Sequence, residues 1–186
     1  MTIASTKHLT TSELEAGLDD IRRAPKDSGL VEMIVRRPAV GERELLDEGE
    51  LAPAEGLVGD SWQLRYGERT PNPEVQLTLM NARVTALVAQ DKSRWPLAGD
   101  QVYVDLDLSD ENLPAGTRLA IGSAVIEVSA IPHTGCAKFV ERFGLDAMNF
   151  VNSTVGRSLH LRGINCRVVA AGTFRVGDRV AKLSAA

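Results

Sequence analysis

The chain has 186 residues, of which 44% are hydrophobic and 25% are charged, and its formal net charge is −4. This length and composition suit one globular domain with a core of its own and, at most, a short extension. The acidic balance excludes a global attraction to nucleic acid or to an anionic membrane, so any basic site must be local.

Cysteine usage and hydropathy predict the compartment. Two cysteines, Cys136 and Cys166, are too few for a disulfide framework, so we expect free thiols in a reducing environment. Residues 1–39 lack the apolar run of a signal peptide, and no stretch approaches the ~20 apolar residues of a transmembrane helix. The sequence therefore predicts a cytoplasmic protein with no nucleic-acid or membrane partner.

Residues 1–28 predict an N-terminal helical extension. Ser12 and Glu15 have the Ser-x-x-Glu spacing of a capping box, and Pro25 ends the helix. Apolar residues follow the cap at helical spacing, namely Leu14, Leu18 and Ile21. The remaining residues, 29–183, are assigned to a single β-rich domain.

Short apolar or alternating segments predict strands along this domain. They are residues 29–35, 75–79, 102–108, 118–122, 124–130, 164–170 and 174–183. Asn81 is expected to cap a helix that runs to Gln90, and residues 137–151 predict one or two short helices. Because so many short strands would leave exposed edges in an open sheet, we expect an α+β, β-rich fold: a closed or strongly curled β-barrel with a few short peripheral helices.

The segment Pro-His-Thr-Gly-Cys-Ala-Lys-Phe, residues 132–139, carries the strongest chemical signal. It places Cys136 on a glycine-containing turn between a strand and a helix, with His133, Lys138 and Arg142 nearby. A helix N-terminus and neighbouring cations favour the thiolate, which attacks electrophiles, carries sulfur and ligates soft metals. In this pattern His133 is either a charge partner of the thiolate or a turn residue.

Basic residues are concentrated after the cysteine and indicate a local anion site, with solvated helix and strand faces as the alternative. They are Lys138, Arg142, Arg157, Arg162 and Arg167. Cys166 lies in the middle of an apolar strand, which favours a buried structural cysteine.

Two other uses of Cys136 are weighed against this interpretation. The chain has three histidines and no Cys-x-x-Cys pair, so a structural zinc site is not expected. A cysteine hydrolase stays open as an alternative, with His160 as its base, because His133 is too close along the chain for in-line proton transfer.

Several motifs, in order, resemble the MOSC domain, which is named for the C-terminal domain of molybdenum-cofactor sulfurases. The resemblance covers about residues 28–183. The motifs are an early Gly-x-x-Gly-Asp turn (Gly56–Asp60), a Glu-Asn-Leu element (Glu111–Leu113) followed by Gly116–Gly122, a Cys-x-Lys signature (Cys136–Lys138), and a closing hairpin (Arg162–Val168 with Gly172–Asp178).

The resemblance implies a barrel-like fold and a functional cysteine at Cys136. In the family this residue ligates the molybdenum of a pterin cofactor or carries sulfur as a persulfide, so Cys136 is the expected catalytic residue and metal ligand. Lys138, Arg142 and Arg162 are the residues that we expect to hold the phosphate of the molybdenum–molybdopterin cofactor.

Three further residues complete the predicted cofactor-binding set. His133 adjoins the cysteine, while Asp60 and Asn112 match family motifs and either contact the cofactor or position turns. Many relatives have a Pro- and Arg-rich approach to the cysteine, whereas this chain has Ile131–Gly135 there.

The resemblance also implies a function and partners. Some family members reduce N-hydroxylated compounds with electrons from a reductase, and others transfer sulfur from a donor protein. We therefore expect molybdenum-dependent oxidoreduction or sulfur transfer, with a non-enzymatic carrier that delivers sulfur or cofactor to a partner as the alternative. No pyridoxal-phosphate domain is expected in this chain, and a homodimer stays open.

Overall fold

The computed structural model describes residues 7–184. Its strands are β1 (Ser28–Arg36), β2 (Glu44–Leu46), β3 (Glu48–Ala52), β4 (Gly56–Leu57), β5 (Leu77–Asn81), β6 (Val102–Asp105), β7 (Arg118–Ile121), β8 (Ala124–Val128), β9 (Ile164–Ala170), β10 (Gly172–Arg175) and β11 (Arg179–Lys182). Its α-helices are α1 (Thr11–Glu15), α2 (Leu18–Arg22), α3 (Ala82–Ala89), α4 (Ala137–Phe143), α5 (Leu145–Asn152) and α6 (Thr154–Ser158). Short 3₁₀ segments cover Trp62–Tyr66, Pro73–Val75 and Lys92–Ala98.

Seven strands close into a mixed barrel in the order β11-β7-β8-β9-β5-β6-β1, and pairing of β1 with β11 completes the ring. The β5–β6 pair is parallel, and the other pairs are antiparallel. Strand β2 extends the sheet from the far end of β1, and β10, β3 and β4 form a separate small sheet. The predicted closed, β-rich barrel with short peripheral helices is confirmed, and closure leaves the ring without free edges.

Two hydrophobic clusters account for the packing, one inside the barrel and one between the barrel and its helices. Strand β1 contributes to both: Val31 and Ile34 belong to the inner cluster, and Met33 and Val35 to the outer one. A β-bulge between Val31 and Met33 shifts the pairing with β6, so inward-facing positions change from odd to even numbers. The helices therefore pack on the outside of a barrel that is already filled.

The N-terminal segment packs against the outer cluster. Thr10, rather than Ser12, caps α1, and it forms the capping box with Glu13, so the predicted cap was two residues late. Leu14 and Ile21 are buried among the outer residues. Residues 1–6 of the predicted extension lie outside the described residues, and the domain boundary at residue 28 stays a prediction.

The predicted last strand is two strands in two different sheets, so the closing hairpin was wrong. Strand β9 pairs with β5 and β8, whereas β10 pairs with β3 and β11 pairs with β1 and β7. The chain turns between β10 and β11 at Gly177, whose φ is +89°, and the Arg175 amide donates to the Asp178 carboxylate at 2.7 Å. None of the described helices is long and apolar enough to span a bilayer.

Candidate functional site

A cleft of about 460 Å³ opens beside the first turn of α4. Cys136 lies in its wall as the N-cap residue of α4, is exposed, and makes no side-chain capping hydrogen bond. We call this the basic cleft because its lining includes, besides the buried Arg162, five cationic side chains: Arg37, Arg43, Arg65, Lys138 and Arg142. The chain thus places a reachable thiol among positive charges, as the sequence around Cys136 predicts.

Asp60 holds one of these cations in place. The side chain of Asp60 is fully buried, and it accepts hydrogen bonds from Arg37 Nε at 2.9 Å and Arg37 Nη2 at 2.8 Å. The backbone amides of Arg37 and Trp62 also donate to it, at 2.9 and 3.0 Å. The Gly56–Asp60 turn can bring the carboxylate inward because Gly56 and Gly59 have φ of +71° and +79°. Asp60 is therefore a positioning residue and not a direct cofactor contact.

The other four cations have no carboxylate partner among the described residues. Arg43 donates to the Pro96 carbonyl at 3.2 Å, and Arg142 donates to the Leu97 carbonyl at 2.6 Å. Arg65 and Lys138 make no side-chain hydrogen bond or ion pair within residues 7–184. Their donors remain available to an anion in the cleft.

Repulsion within the cleft is visible in two arginine pKa values. Burial, followed by the charge of Arg37, lowers the pKa of Arg65. Burial, followed by the charges of Arg142 and Arg37, lowers the pKa of Arg43. A site in which cations disfavour one another is stabilised by a bound anion, and this field exists on a chain whose net charge is −4.

Arg162 supports the floor of the cleft and is neutralised there. Its Nη1 donates to Asp100 Oδ2 at 2.6 Å, its Nη2 donates to the Ala98 carbonyl at 2.9 Å, and its guanidinium lies 5.2 Å from the centre of the Phe139 ring. The side chain is 7% exposed. These contacts correct the expectation that Arg162 presents its guanidinium to a phosphate, because both terminal nitrogens already bind protein groups.

His133 is a neutral side chain in this environment. Burial lowers the pKa of His133 to about 4; Arg162 acts in the same direction, and Asp100 opposes it. The His133 Nδ1 atom lies 3.4 Å from Asp100 Oδ1, so this is a contact between an uncharged ring and a carboxylate at neutral pH rather than an ion pair. His133 therefore cannot act as a cationic partner of the thiolate, which corrects that interpretation.

Asn112 does not line the basic cleft. Its amide nitrogen donates to the carbonyls of Lys26 and Asp107 at 2.8 and 2.7 Å, and its oxygen accepts from Lys182 Nζ at 2.8 Å. The side chain ties the connection between β6 and β7 to β11. Asn112 is not among the residues that line the cleft, and a role in positioning turns explains the motif.

The structure separates the two members of the hydrolase alternative. His160 lines a second cavity of about 430 Å³ on the opposite side of the segment before Cys136, whereas Cys136 lines the basic cleft. The His160 Nδ1 atom lies 2.6 Å from the Leu108 carbonyl oxygen, and Nε2 lies 3.0 Å from Asp110 Oδ1. Because both ring nitrogens have partners and the ring faces another cavity, His160 is not placed to act as the base for Cys136.

The remaining predicted residues, Cys166, Arg167 and Arg157, do not line the basic cleft. Cys166 is fully buried in the barrel, and burial raises the pKa of its thiol. Arg167 pairs with Glu127 at 2.6 Å, and Arg157 Nε donates to the Asn152 carbonyl at 3.0 Å, so neither joins the cleft. Of the basic cluster predicted after the cysteine, only Lys138 and Arg142 line the cleft without an acidic partner.

Three arginines that line the cleft are not predicted by the sequence around Cys136. Arg37, Arg43 and Arg65 come from the chain between β1 and β5, which is remote in sequence from Cys136. The adjacent pair Arg36-Arg37 at the end of a strand, followed by the Gly-x-x-Gly-Asp turn that binds Arg37, was the available signal. Within residues 7–184, no group of three or more His, Cys, Asp or Glu side chains is arranged to hold a metal ion.

Solved structures share this fold at low sequence identity. A crystal structure described as a hypothetical protein is 20% identical, with a TM-score of 0.61 over 86% of this chain and 69% of that chain. YiiM from Escherichia coli is 19% identical, with a TM-score of 0.56 over 84% of this chain and 71% of its own. The YuaD protein from Bacillus subtilis is 17% identical, with a TM-score of 0.57 over 86% of this chain and 97% of its own.

Comparison by sequence identifies the family more specifically than the shared fold does. A search of curated proteins found no match. The family model for the MOSC domain matches residues 73–181, a range that runs from just before β5 into β11 and includes Cys136 and the cations of α4. Since this range is more than half of the chain, the protein belongs to the MOSC domain family.

Proposed function

We propose that the protein binds a molybdenum–molybdopterin cofactor in the basic cleft, with Cys136 as a ligand of the metal. The observation that carries this proposal is the exposed Cys136 thiol in a cleft where four cations lack a carboxylate partner among the described residues. A thiolate is a soft ligand that suits molybdenum, and unpaired cations suit the phosphate of the cofactor.

Each residue of the cleft has a distinct part in this proposal. Cys136 supplies one sulfur ligand from the protein. Arg65 and Lys138, whose donors are free within the described residues, bind the phosphate directly. Arg43 and Arg142 are fixed by backbone carbonyls and raise the local potential. When bound, the cofactor supplies two-electron oxidation–reduction chemistry.

The dimensions and the lining of the cleft support the same ligand. Its volume of about 460 Å³ lies within the range of ~300–1,000 Å³ that is typical of small-molecule sites. The cleft is also lined by Ser61 and Thr134, whose hydroxyl groups can hydrogen-bond a heterocycle. A phosphate-bearing ring system therefore finds cations, polar groups and one thiol in a single concavity.

The reaction that we propose is oxidoreduction, by analogy with family members that reduce N-hydroxylated compounds. Such a reduction takes two electrons and two protons, and it releases the oxygen as water. In this proposal, a separate reductase donates the electrons.

Sulfur transfer is the second candidate, and one observation favours it. Cys136 is exposed and makes no side-chain capping hydrogen bond, so a sulfur-donating protein can reach its sulfur atom. A carrier would hold a persulfide at Cys136 and turn over no substrate of its own. The two candidates differ in what is bound to the same atom.

Purification from a host that makes molybdopterin tests both candidates. We expect the wild-type protein to contain molybdenum and to release the fluorescent pterin derivative. The molybdenum content of Cys136→Ala should be lower than that of the wild type by a factor of about ten or more. Cys166→Ala is the matched control, because it removes the buried thiol and leaves the cleft intact. Wild-type protein with neither metal nor pterin, even after mixing with isolated cofactor, would overturn cofactor binding.

Intact-mass spectrometry of the same preparations separates the carrier from the enzyme. One added sulfur atom on the wild type, absent from Cys136→Ala and present on Cys166→Ala, would identify Cys136 as a persulfide carrier. An unmodified thiol in protein that contains metal and pterin supports ligation instead.

A further inference from the structure

The second cavity, of about 430 Å³, differs in chemistry from the basic cleft. It is enclosed by the end of β8 and the segment after it, by the start of β9, and by α5 and α6. Much of its lining is apolar: Val128, Ala130, Ile131, Val151 and Ile164. The cations Arg43, Arg65, Lys138 and Arg142 line only the cleft. Arg157 and Arg162 line the second cavity, where Arg157 Nε donates to the Asn152 carbonyl and Arg162 pairs with Asp100. Its size and its apolar walls suit a small organic molecule.

The two spaces share a wall. His133, Thr134, Arg162 and Asn165 line both the second cavity and the basic cleft. A molecule in the second cavity and a cofactor in the cleft would therefore face each other across one layer of side chains. Gly163 adjoins this layer, and a Cβ there would lie 2.3 Å from the Leu79 carbonyl oxygen, so glycine permits the close approach of this segment to β5.

Buried polar atoms without a hydrogen-bond partner concentrate in this wall. Among the described residues they are Asp100 Oδ1, His133 Nδ1 and Arg162 Nε. Unpaired buried polar atoms are rare in folded proteins, and a group of them calls for an explanation such as a missing ligand. Arg162 and Asp100 are almost completely buried, at 7% and 0% side-chain exposure. The three unpaired atoms are themselves buried, so they mark a polar layer with incomplete hydrogen bonding between the two spaces.

The wall presents hydrogen-bond acceptors to the cavity. The ring of His133 is uncharged, and its Nδ1 faces the Asp100 carboxylate at 3.4 Å. No hydrogen bond forms at this distance, but the negative carboxylate beside Nδ1 favours the tautomer that carries its proton there, which leaves Nε2 as an acceptor. The Asn165 amide nitrogen donates to the Ile131 carbonyl at 3.0 Å, so the Asn165 oxygen is a second acceptor.

We infer that the second cavity is a binding site for an uncharged, partly apolar small molecule that carries an N–H or O–H donor, and that His133 accepts a hydrogen bond from this donor. The apolar walls bind the body of the ligand, and His133 and Asn165 orient its polar end toward the basic cleft. Asp100 is a positioning residue, because its carboxylate lies 3.4 Å from Nδ1 and its charge favours the proton of His133 on that nitrogen.

The assignment of this molecule as the substrate rests on the proposed function, whereas the binding itself does not. If the cleft holds a redox cofactor, the cavity across the shared wall is where a reducible substrate would bind. The experiment below uses the protein without regard to its metal content, so its failure is distinguishable from failure of cofactor binding.

Ligand-observed NMR with matched probes tests the binding. Benzamide has an apolar ring and N–H donors, and N,N-dimethylbenzamide keeps the ring and the carbonyl but has no donor. We expect benzamide to bind with a Kd of about a millimolar, and we expect the dimethyl compound to bind about tenfold more weakly because it cannot donate to His133. Equal affinity for the two probes would overturn the inference.

Variants of His133 test the acceptor. His133→Phe keeps a ring and removes both nitrogens, so the preference for benzamide should fall from about tenfold to about onefold. His133→Gln retains an acceptor oxygen and should restore part of the preference. An unchanged preference in His133→Phe, with an unchanged Tm, would overturn the role of His133.

Ala130→Trp tests the location without disturbing the core, because Ala130 is exposed and lines the second cavity. It should abolish benzamide binding and leave molybdenum and pterin content unchanged. Ala54→Trp is the matched control, since Ala54 is exposed and lines neither space. Benzamide binding that survives Ala130→Trp, or benzoate bound there more tightly than benzamide, would overturn the inference.

Discussion

The basic cleft and the second cavity lie on either side of the same segment, Ile131–Cys136, but they handle charge in opposite ways. In the cleft, Asp60 forms a buried ion pair with Arg37, and four further cations are left without a carboxylate among the described residues. At the wall of the second cavity, Asp100 neutralises Arg162, and a neutral His133 completes the group. One side is therefore built to attract an anion, and the other is built to present uncharged acceptors.

The two Asp–Arg pairs show how this difference arises. Asp60 uses both oxygens, since it accepts from the Arg37 guanidinium, from the backbone amides of Arg37 and Trp62, and from the side-chain amide of Gln101. Asp100 uses Oδ2 for Arg162 and leaves Oδ1 without a hydrogen bond among the described residues. A saturated pair fixes geometry, whereas an unsaturated pair leaves hydrogen-bonding capacity beside a cavity.

The largest expected effect comes from breaking the saturated pair. Asp60→Ala should reduce the free energy of unfolding by about 3–5 kcal/mol, because Arg37 would remain largely buried without its carboxylate. Urea denaturation measures the change. Replacing both partners, as in Arg37→Met with Asp60→Ala, should recover part of the loss.

The matched control for this prediction is Arg175→Ala. It removes an ion pair with Glu48 in which the arginine is 71% exposed, so the loss should be below about 1 kcal/mol. Similar losses of unfolding free energy for Asp60→Ala and Arg175→Ala would show that the buried Asp60–Arg37 pair stabilises the protein no more than an exposed pair does. That result would contradict the role of Asp60 in fixing Arg37.

Lowering the pH tests whether His133 is buried in its neutral form. The pKa of His133 is about 4 in the folded protein against 6.5 for an unperturbed histidine, so the unfolded chain binds more protons between these values. Stability is therefore lost as the pH falls from 6.5 toward 4, by roughly 3 kcal/mol at most for this group. His133→Gln, measured by urea denaturation at several pH values, should flatten this part of the profile. A profile that keeps its full slope in this variant would contradict the burial of a neutral His133.

The fold was predictable from the sequence because its signals are local. Strand periodicity and the Asn81 cap are present as predicted: residues 118–122 and 124–130 contain the paired strands β7 and β8, and Asn81 accepts from the amides of Arg83 and Val84. The last strand was mispredicted because its division between two sheets depends on the Gly177 turn and on distant partners, and a single strand pattern carries neither.

The site was predictable only where it is local as well. Cys136, Lys138 and Arg142 belong to one turn and one helix, so the sequence brings them together. Arg37 and Arg65 reach the cleft through barrel closure and through the Asp60 turn, and no short-range pattern predicts that convergence. Arg162 was misassigned because the sequence does not reveal that Asp100, far away in the chain, occupies its guanidinium.

Substitution of single cations tests whether the basic cleft binds the phosphate of the cofactor. Arg65→Ala and Lys138→Ala should each weaken retention of the pterin cofactor about tenfold, because each removes a charged donor to phosphate. Stability should stay within about 0.5 kcal/mol of the wild type, since neither residue has an acidic partner among the described residues. Pterin released per mole of protein, compared with Arg157→Ala as a control cation outside the cleft, measures the effect. Equal losses from Arg157→Ala would indicate a nonspecific response to net charge.

The smallest expected effect concerns the independence of the two sides. His160 lines the second cavity and has both ring nitrogens engaged, by the Leu108 carbonyl and by Asp110. His160→Ala should therefore leave the rate of Cys136 alkylation by iodoacetamide unchanged within about twofold, as followed by mass spectrometry, because a histidine so engaged cannot take the proton of Cys136. Cys166 is buried and serves as the internal control for unfolding, since its alkylation would report opening of the barrel. A tenfold slower reaction at Cys136, with Cys166 still protected, would show that His160 reaches the thiol and would restore the hydrolase alternative.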